Sequence, residues 1–409
     1  MIDTRSLAIR RLSAYAIVLL IVAGCAAPTP PPPPPPPPAA TSDTSERSFD
    51  EAVNVATDGL MSQLQQRADP SATAEAKRGV MIDPMVDAAS GQQTGATRLL
   101  EQLVGERVQG NYAQFEVMPF QVGNLSKAQY LVTGTMTRIE SAQTGTRQVF
   151  QIDLAATDLK TGTVVAQASS RARDEALDNN PTPYYRDSPV LVKDKVVDGY
   201  INTSKTAPGQ PADPVYFERV ATATVISEAT AAYNNESYAD ALTLYRNAEA
   251  TASGEQLRVL NGIYLASWKL GRTAEAEEAF GKVVALGLSI NNLGVKFLFN
   301  PGSTDFWGDS QVSGPYGFWL RQIARQAAAT KVCMNVIGHT SRTGTAQYND
   351  RLSQRRAAYI KQRLDKEAPE LTRRTRASGM GFRENLVGTG TDDARDALDR
   401  RVEFKIADC

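Results

Sequence analysis

Histidine occurs once in 409 residues, cysteine three times, and aromatic residues make up only 7% of the chain. The single histidine, His339, excludes a metal centre built from several imidazoles. A nucleophile–base pair would need that same ring; Ser341 is two residues away, but no carboxylate is evidently placed to orient the imidazole. A spanning helix needs ~20 apolar residues, and no stretch after residue 24 is long and apolar enough. Neither charge sign dominates: 44 Lys and Arg stand against 45 Asp and Glu, net −1. No global attraction to nucleic acid or anionic lipid follows. The glycine-rich "GTGTDD" at 388–393 has no lysine after it, so it is not a phosphate cradle. No paired acids stand out near a predicted cleft. The expectation is a non-enzyme with neither metal nor cofactor.

What is present is unevenly distributed. From residue 295 onward there are 14 Arg and 5 Lys against 13 acidic residues, a surplus of six positive charges, so the remainder carries −7. A basic C-terminal module on an acidic body suits an anionic partner, and solvated helix faces would give the same count. At the other end, Arg5, Arg10 and Arg11 precede the apolar run "AYAIVLLIVAG", residues 14–24. Its 11 residues match a signal-peptide core. The run ends in "VAGC", residues 22–25, which resembles the lipobox of bacterial lipoproteins. That resemblance implies cleavage before Cys25, a diacylglyceryl thioether on its sulfur and an acylated amino group. Ala26 is not the aspartate that retains many such proteins in the inner membrane, so the outer membrane is the expected address. Pro30 to Pro38 form an unbroken run, a polyproline II spacer rising about 3.1 Å per residue, roughly 30 Å in all.

The mature chain reads as a multidomain α+β protein. Residues 1–24 are the expected signal peptide, and residues 25–48 a lipidated cysteine with a Pro-rich, polar linker. Residues 49–175 run helix, strand, helix and then a series of strands, with good hairpin chemistry at "DLKTG", 158–162. "YLVTGTMTRI" and "IDLAATDLKTGTVVAQA" resemble the periplasmic module of curli-secretion, flagellar outer-membrane and synthase-activating lipoproteins. Residues 176–215 are rich in Pro, Asp and Asn and read as an irregular connection, which Tyr184 and Tyr185 would pin to a domain or offer for docking. In residues 216–289, "AAYNNESYADALTLYRNA" aligns with "ASWKLGRTAEAEEAFGKV" at an offset of 35, pairing Tyr233 with Trp268, Ala241 with Ala276 and Tyr245 with Phe280. The pattern resembles tetratricopeptide repeats, whose period is ~34. Two repeats fall short of the three usually needed for stability, so they should lean on a neighbour.

Residues 290–409 follow a β-α-β-α-β-β order, opening on a strand at "VKFLFN", 295–300. "KFLF", "GHT", "YNDRLSQRRA", "SGMG" and "RRVEF", in that order, resemble the OmpA-like peptidoglycan-binding domain. The resemblance implies non-covalent capture of diaminopimelate in uncrosslinked stem peptides. Arg356 matches the family's carboxylate clamp, Asn349, Leu352, Ser353 and Ala357 the helix around it, Thr340 the loop threonine and Arg401 the arginine before "VEF"; with Ser341, the resemblance makes Arg356, Asn349, Thr340 and Arg401 the expected ligand-binding residues. Ser341 stands where the family has the aspartate that holds the ligand's ammonium, and Asp399 where asparagine is commoner. A hydroxyl in place of a carboxylate costs about 1–2 kcal/mol, roughly 5–30-fold in affinity. Arg342 beside Ser341 favours a carboxylate and repels an ammonium. A helix-surface salt bridge to Asp350 or Asp399 is the other role open to Arg356.

After lipidation of Cys25, Cys333 and Cys409 remain. They meet if the strands that carry them are antiparallel neighbours, and otherwise they stay free thiols. The expected function is a periplasm-facing outer-membrane lipoprotein that binds peptidoglycan and ties membrane to wall. The alternative is a periplasmic adaptor for an envelope machine or peptidoglycan synthase, acting through a protein partner, with a weakened or structural C-terminal domain.

Overall fold

A computed structural model describes residues 39–67, 77–140, 148–174, 177–300, 302–386, 390 and 397–409. The expected signal peptide, Cys25, the proline run and most of "GTGTDD" lie outside the described residues. No described helix is long and apolar enough to cross a membrane.

The first module begins earlier than its hydrophobic pattern suggests. Residues expected as polar linker form strand β1 (Thr41–Arg47), which joins the edge of a sheet. Helix α1 (Phe49–Gln66), β2 (Arg78–Ile82), β3 (Val86–Asp87), α2 (Gly95–Asn111) and β4 (Phe115–Met118) follow. The long strands β5 (Ala128–Glu140), β6 (Gln148–Asp158) and β7 (Thr163–Arg173) complete the sheet, in the order β1-β7-β6-β5-β2-β4 with β3 paired to β5. Pro84 separates β2 from β3, because proline has no amide to give a ladder. In the β6–β7 turn Asp158 accepts bonds from the amides of Lys160 and Thr161.

β1 is absent from the apolar pattern because an edge strand needs only its main chain. It pairs in parallel with β7. Its side chains make polar contacts: Gln63 Nε2 donates to Thr41 Oγ1 at 2.8 Å, and Ser42 meets Ser169 at 3.1 Å.

The helices α1 and α2 cover one face of this sheet with Leu60, Leu64, Leu100 and Val104. The supposedly irregular connection builds the other layer. It contains α3 (Pro183–Asp187), α4 (Lys195–Ser204) and α5 (Pro214–Phe217). Val197, Tyr200, Ile201 and Tyr216 bury against Met81, Val86 and Leu131. Tyr200 Oη accepts from the Gly134 amide at 2.9 Å, and Tyr216 Oη donates to buried Asp83 at 2.5 Å. Pro and Asn made this stretch look like loop, and short helices held by far-off contacts carry little sequence signal of their own.

The middle segment holds two helical hairpins, α6 (Val220–Asn234) with α7 (Tyr238–Glu249) and α8 (Leu257–Lys269) with α9 (Thr273–Ser289). The 35-residue offset holds down to single bonds. The Ser237 amide donates to Ala232 O, and 35 residues on the Arg272 amide donates to Ser267 O. Both turns place their second residue in left-handed backbone, Glu236 at φ +63° and Gly271 at φ +71°. A side chain there costs roughly 1 kcal/mol. Glu236→Gly should therefore raise stability by about 0.5–1 kcal/mol in urea titration; an unchanged or lower midpoint would contradict this.

The C-terminal domain comprises β8 (Leu293–Val295), α10 (Ser310–Ser313), α11 (Tyr316–Thr330), β9 (Cys333–His339), α12 (Ala346–Glu367), β10 (Thr375–Gly381) and β11 (Val402–Ala407). Its sheet runs β10-β9-β11-β8, with β10 parallel to β9, and β11 antiparallel to both β9 and β8. The first strand is not the expected "VKFLFN". Its partner β11 begins at Val402, opposite Val295, so the ladder stops there and Lys296 donates its amide to Pro189 O instead. The chain instead turns back on itself, bridging Phe299 to Phe306.

One apolar cluster runs from Tyr184 through the hairpins to Phe404. Phe280 stacks on Trp319 at 5.4 Å between ring centres, and the Trp319 indole donates to Tyr264 Oη at 3.1 Å. Two repeats suffice because this shared core replaces the missing third. Tyr184 and Tyr185 are buried in the same cluster, so they pin the connection. The buried ammonium of Lys296 donates to the carbonyls of Tyr185 and Arg186, and burial lowers its pKa to about 8.

Candidate functional site

The candidate residues gather at one end of the C-terminal sheet, where the loops after β9 and β10 approach the start of α12. Bare glycines make this approach close. A Cβ on Gly338 would lie 2.3 Å from Ser353 O, and one on Gly379 2.4 Å from the Gln354 amide nitrogen. Ser353 Oγ uses the gap to accept from the Gly381 amide at 2.9 Å. The "GH", "LS" and "SGMG" elements are thus one packing arrangement that sets α12 on β9 and β10.

α12 is capped by Thr345, whose hydroxyl accepts from the Tyr348 amide. Asn349 is buried and donates from Nδ2 to the Thr343 and Thr345 carbonyls, shaping the loop. Thr340 is held by a bond from its amide to Gly381 O, while its buried hydroxyl finds no partner among the described residues. Ser341 is buried beside it, whereas Arg342 is exposed.

Arg356 is not on the helix surface. It is 7% exposed, and its guanidinium lies 4.8 Å from the centre of the Phe299 ring. Nε donates to Ser303 O at 3.2 Å and Nη2 to Asn300 O at 3.3 Å. These long neutral contacts orient the fork, and a carboxylate reaching it would form shorter, charge-assisted bonds. Asp350, one of the acids considered for it, pairs with Arg383 instead.

Arg401 is tied into the frame of the domain. It is 3% exposed, bonds Glu403 Oε1 through Nε at 2.8 Å, and donates to the Leu398 and Glu384 carbonyls. Asp399 accepts from the Leu386 amide at 2.7 Å. Both residues brace the segment between β10 and β11. The contacts of Arg401 to Glu403 and to two carbonyls give it a bracing role, which the motif alone does not reveal.

His339 ends β9 with both ring nitrogens buried and without hydrogen-bond partners among the described residues. Burial first, and then the Arg401 charge, pushes its pKa down to about 4, so the ring is neutral near pH 7. Ligand atoms of His339, Glu384 and Glu403 lie within 4.8 Å of one another. Yet Arg401 Nη2 sits 2.6 Å from Glu403 Oε1 and already supplies the positive charge there. The trio does not suit a metal ion.

Cys333 and Cys409 form a disulfide, with Cα atoms 5.2 Å apart. Residue Ala407, two before Cys409, pairs with Cys333 across the antiparallel ladder.

Residues 299–398 match the OmpA family. The chain also resembles solved structures. The peptidoglycan-associated lipoprotein from Burkholderia pseudomallei is 23% identical over 28% of this chain and 89% of its own, with a TM-score of 0.23. The cell wall anchor of the T6SS from Pseudomonas aeruginosa is 26% identical over 28% and 80%, TM-score 0.23. A putative MotB-like protein from Desulfovibrio vulgaris is 19% identical over 37% and 94%, TM-score 0.24. No curated protein matches this chain.

Proposed function

We propose that the C-terminal domain, which is OmpA-like, binds peptidoglycan by gripping a stem-peptide carboxylate with Arg356. The observation that carries this reading is the family match spanning residues 299–398, with Arg356 buried inside it and its fork held in place by main-chain carbonyls. Asn349 and Thr340 shape the loop, Ser341 replaces a charged partner for the ligand's amine, and Arg401 braces the frame. The chain is anchored in the outer membrane through a lipidated Cys25, faces the periplasm, and ties membrane to wall. The hairpins at 216–289 act as a tetratricopeptide-like spacer, and the first module is of the type found in curli-secretion and synthase-activating lipoproteins.

Co-sedimentation of the full mature chain with purified sacculi tests the grip. Arg356→Ala should lower the bound fraction more than 10-fold, and Arg356→Lys, which keeps the charge without the fork, should fall between. Ser341→Asp should tighten binding roughly 5–30-fold. Equal binding by all four proteins would remove Arg356 from the site.

A further inference from the structure

A cavity of about 310 Å³ lies between the first module and the C-terminal loops. Its size falls at the lower end for small-molecule sites, ~300–1,000 Å³. Asp87, Arg138 and Phe150 line one side, and Arg342, Arg383 and Asn385 the other. Three guanidiniums thus face one carboxyl. Asp87 is already engaged, accepting from the Ser90 amide and hydroxyl. Arg383 pairs with Asp350. Arg138 reaches Asp174 at 3.4 Å and lies 5.1 Å from the centre of the Phe150 ring. Arg342 has no acidic partner among the described residues.

The polar atoms point the same way. Both the nitrogen and the oxygen of the Asn385 carboxamide are buried without a partner among the described residues, and so is Arg138 Nε. Folded proteins rarely leave such atoms empty. A peptide group satisfies both ends of a carboxamide at once, and a carboxylate satisfies guanidinium donors. Arg342 directly follows Ser341, so this cavity and the Arg356 grip share the loop after β9.

We propose that the cavity is a second subsite for an acidic peptide: Arg138 and Arg342 take a free carboxylate that branches from the peptide chain, Asn385 pairs with a backbone amide, and the ligand is held by both modules. This rests on reading the C-terminal domain as a stem-peptide binder and extends that grip along the peptide. The first module then contributes to recognition as well as to reach.

The test uses the full mature chain and a soluble tripeptide of alanine, γ-linked glutamate and diaminopimelate, titrated calorimetrically, with sacculus co-sedimentation alongside. Arg342 is exposed and unpaired among the described residues, so Arg342→Gln should fold normally and weaken the tripeptide about 10-fold. Asn385→Leu should weaken it as well. Amidating the free glutamate α-carboxylate should cost wild type at least that factor and cost Arg342→Gln less, because only the Arg138 contact is left to lose. Unchanged affinity in Arg342→Gln, with loss in Arg356→Lys, overturns the second subsite and leaves the wall-binding reading standing. Loss in Arg342→Gln with none in Arg356→Lys keeps the subsite and removes Arg356. No binding of either probe by wild type overturns both.

Discussion

Replacing Cys409 by serine is expected to destabilise the C-terminal domain by about 4–5 kcal/mol. The disulfide spans 76 residues, and closing a loop of that length removes unfolded-state entropy worth about 4.5 kcal/mol at 25 °C. Its place in the sheet adds to the consequence. β11 is flanked by β9 and β8, so the staple holds the exit of an interior strand and not a loose edge. The apolar cluster links this sheet to the helical hairpins, so the hairpins should unfold in the same, earlier transition. Urea titration of wild type, wild type with reductant and Cys409→Ser checks this. The last two should coincide well below the first, and reductant should not move the variant. A shared midpoint for all three would show that the bond contributes nothing.

A comparable effect is expected at Asp83, and it depends on pH. Asp83 is buried under the connection, where loss of water raises its pKa from 3.8 to about 7, against the opposing hydrogen bond from Tyr216. The folded state therefore holds a proton that the unfolded chain releases near pH 4. The stability this group contributes is complete below pH 4, drains away as pH rises through 7, and is constant above. A carboxyl that titrates near 7 when folded and near 4 when unfolded contributes about 4 kcal/mol across that window. Asp83→Asn does not titrate, so its stability relative to wild type should climb by that amount between pH 4 and 8. His339 acts in the opposite sense. Its lowered pKa makes stability rise between about pH 4 and 6.5, but it is common to both proteins and cancels in the difference. A difference that stays flat with pH would mean that the carboxyl is ionised at ordinary pH despite its burial.

The candidate site was partly legible. Motif spacing picked out Arg356, Asn349, Thr340 and Ser341, and all four lie on the β9–α12 loop or in α12 itself. It assigned Arg401 to the same task, because a buried arginine that braces a loop and one that meets a ligand look alike in one dimension. Only the contacts to Glu403 and two carbonyls separate them. Nothing in the motif hinted at Asn385 or Arg138, since an unpartnered amide is recognised only once its surroundings are known.

Read along the chain, apolar periodicity and turn chemistry were enough for the long helices, the β5–β7 strands and the 35-residue repeat. Each of those signals is local, arising within a few turns or pleats. The polar β1 strand, the second layer built from the connection, the early end of β8 and the cavity between modules come from segments distant in sequence. Main-chain pairing and shared burial create them, and a residue's neighbours in sequence do not record which remote backbone will satisfy its amide.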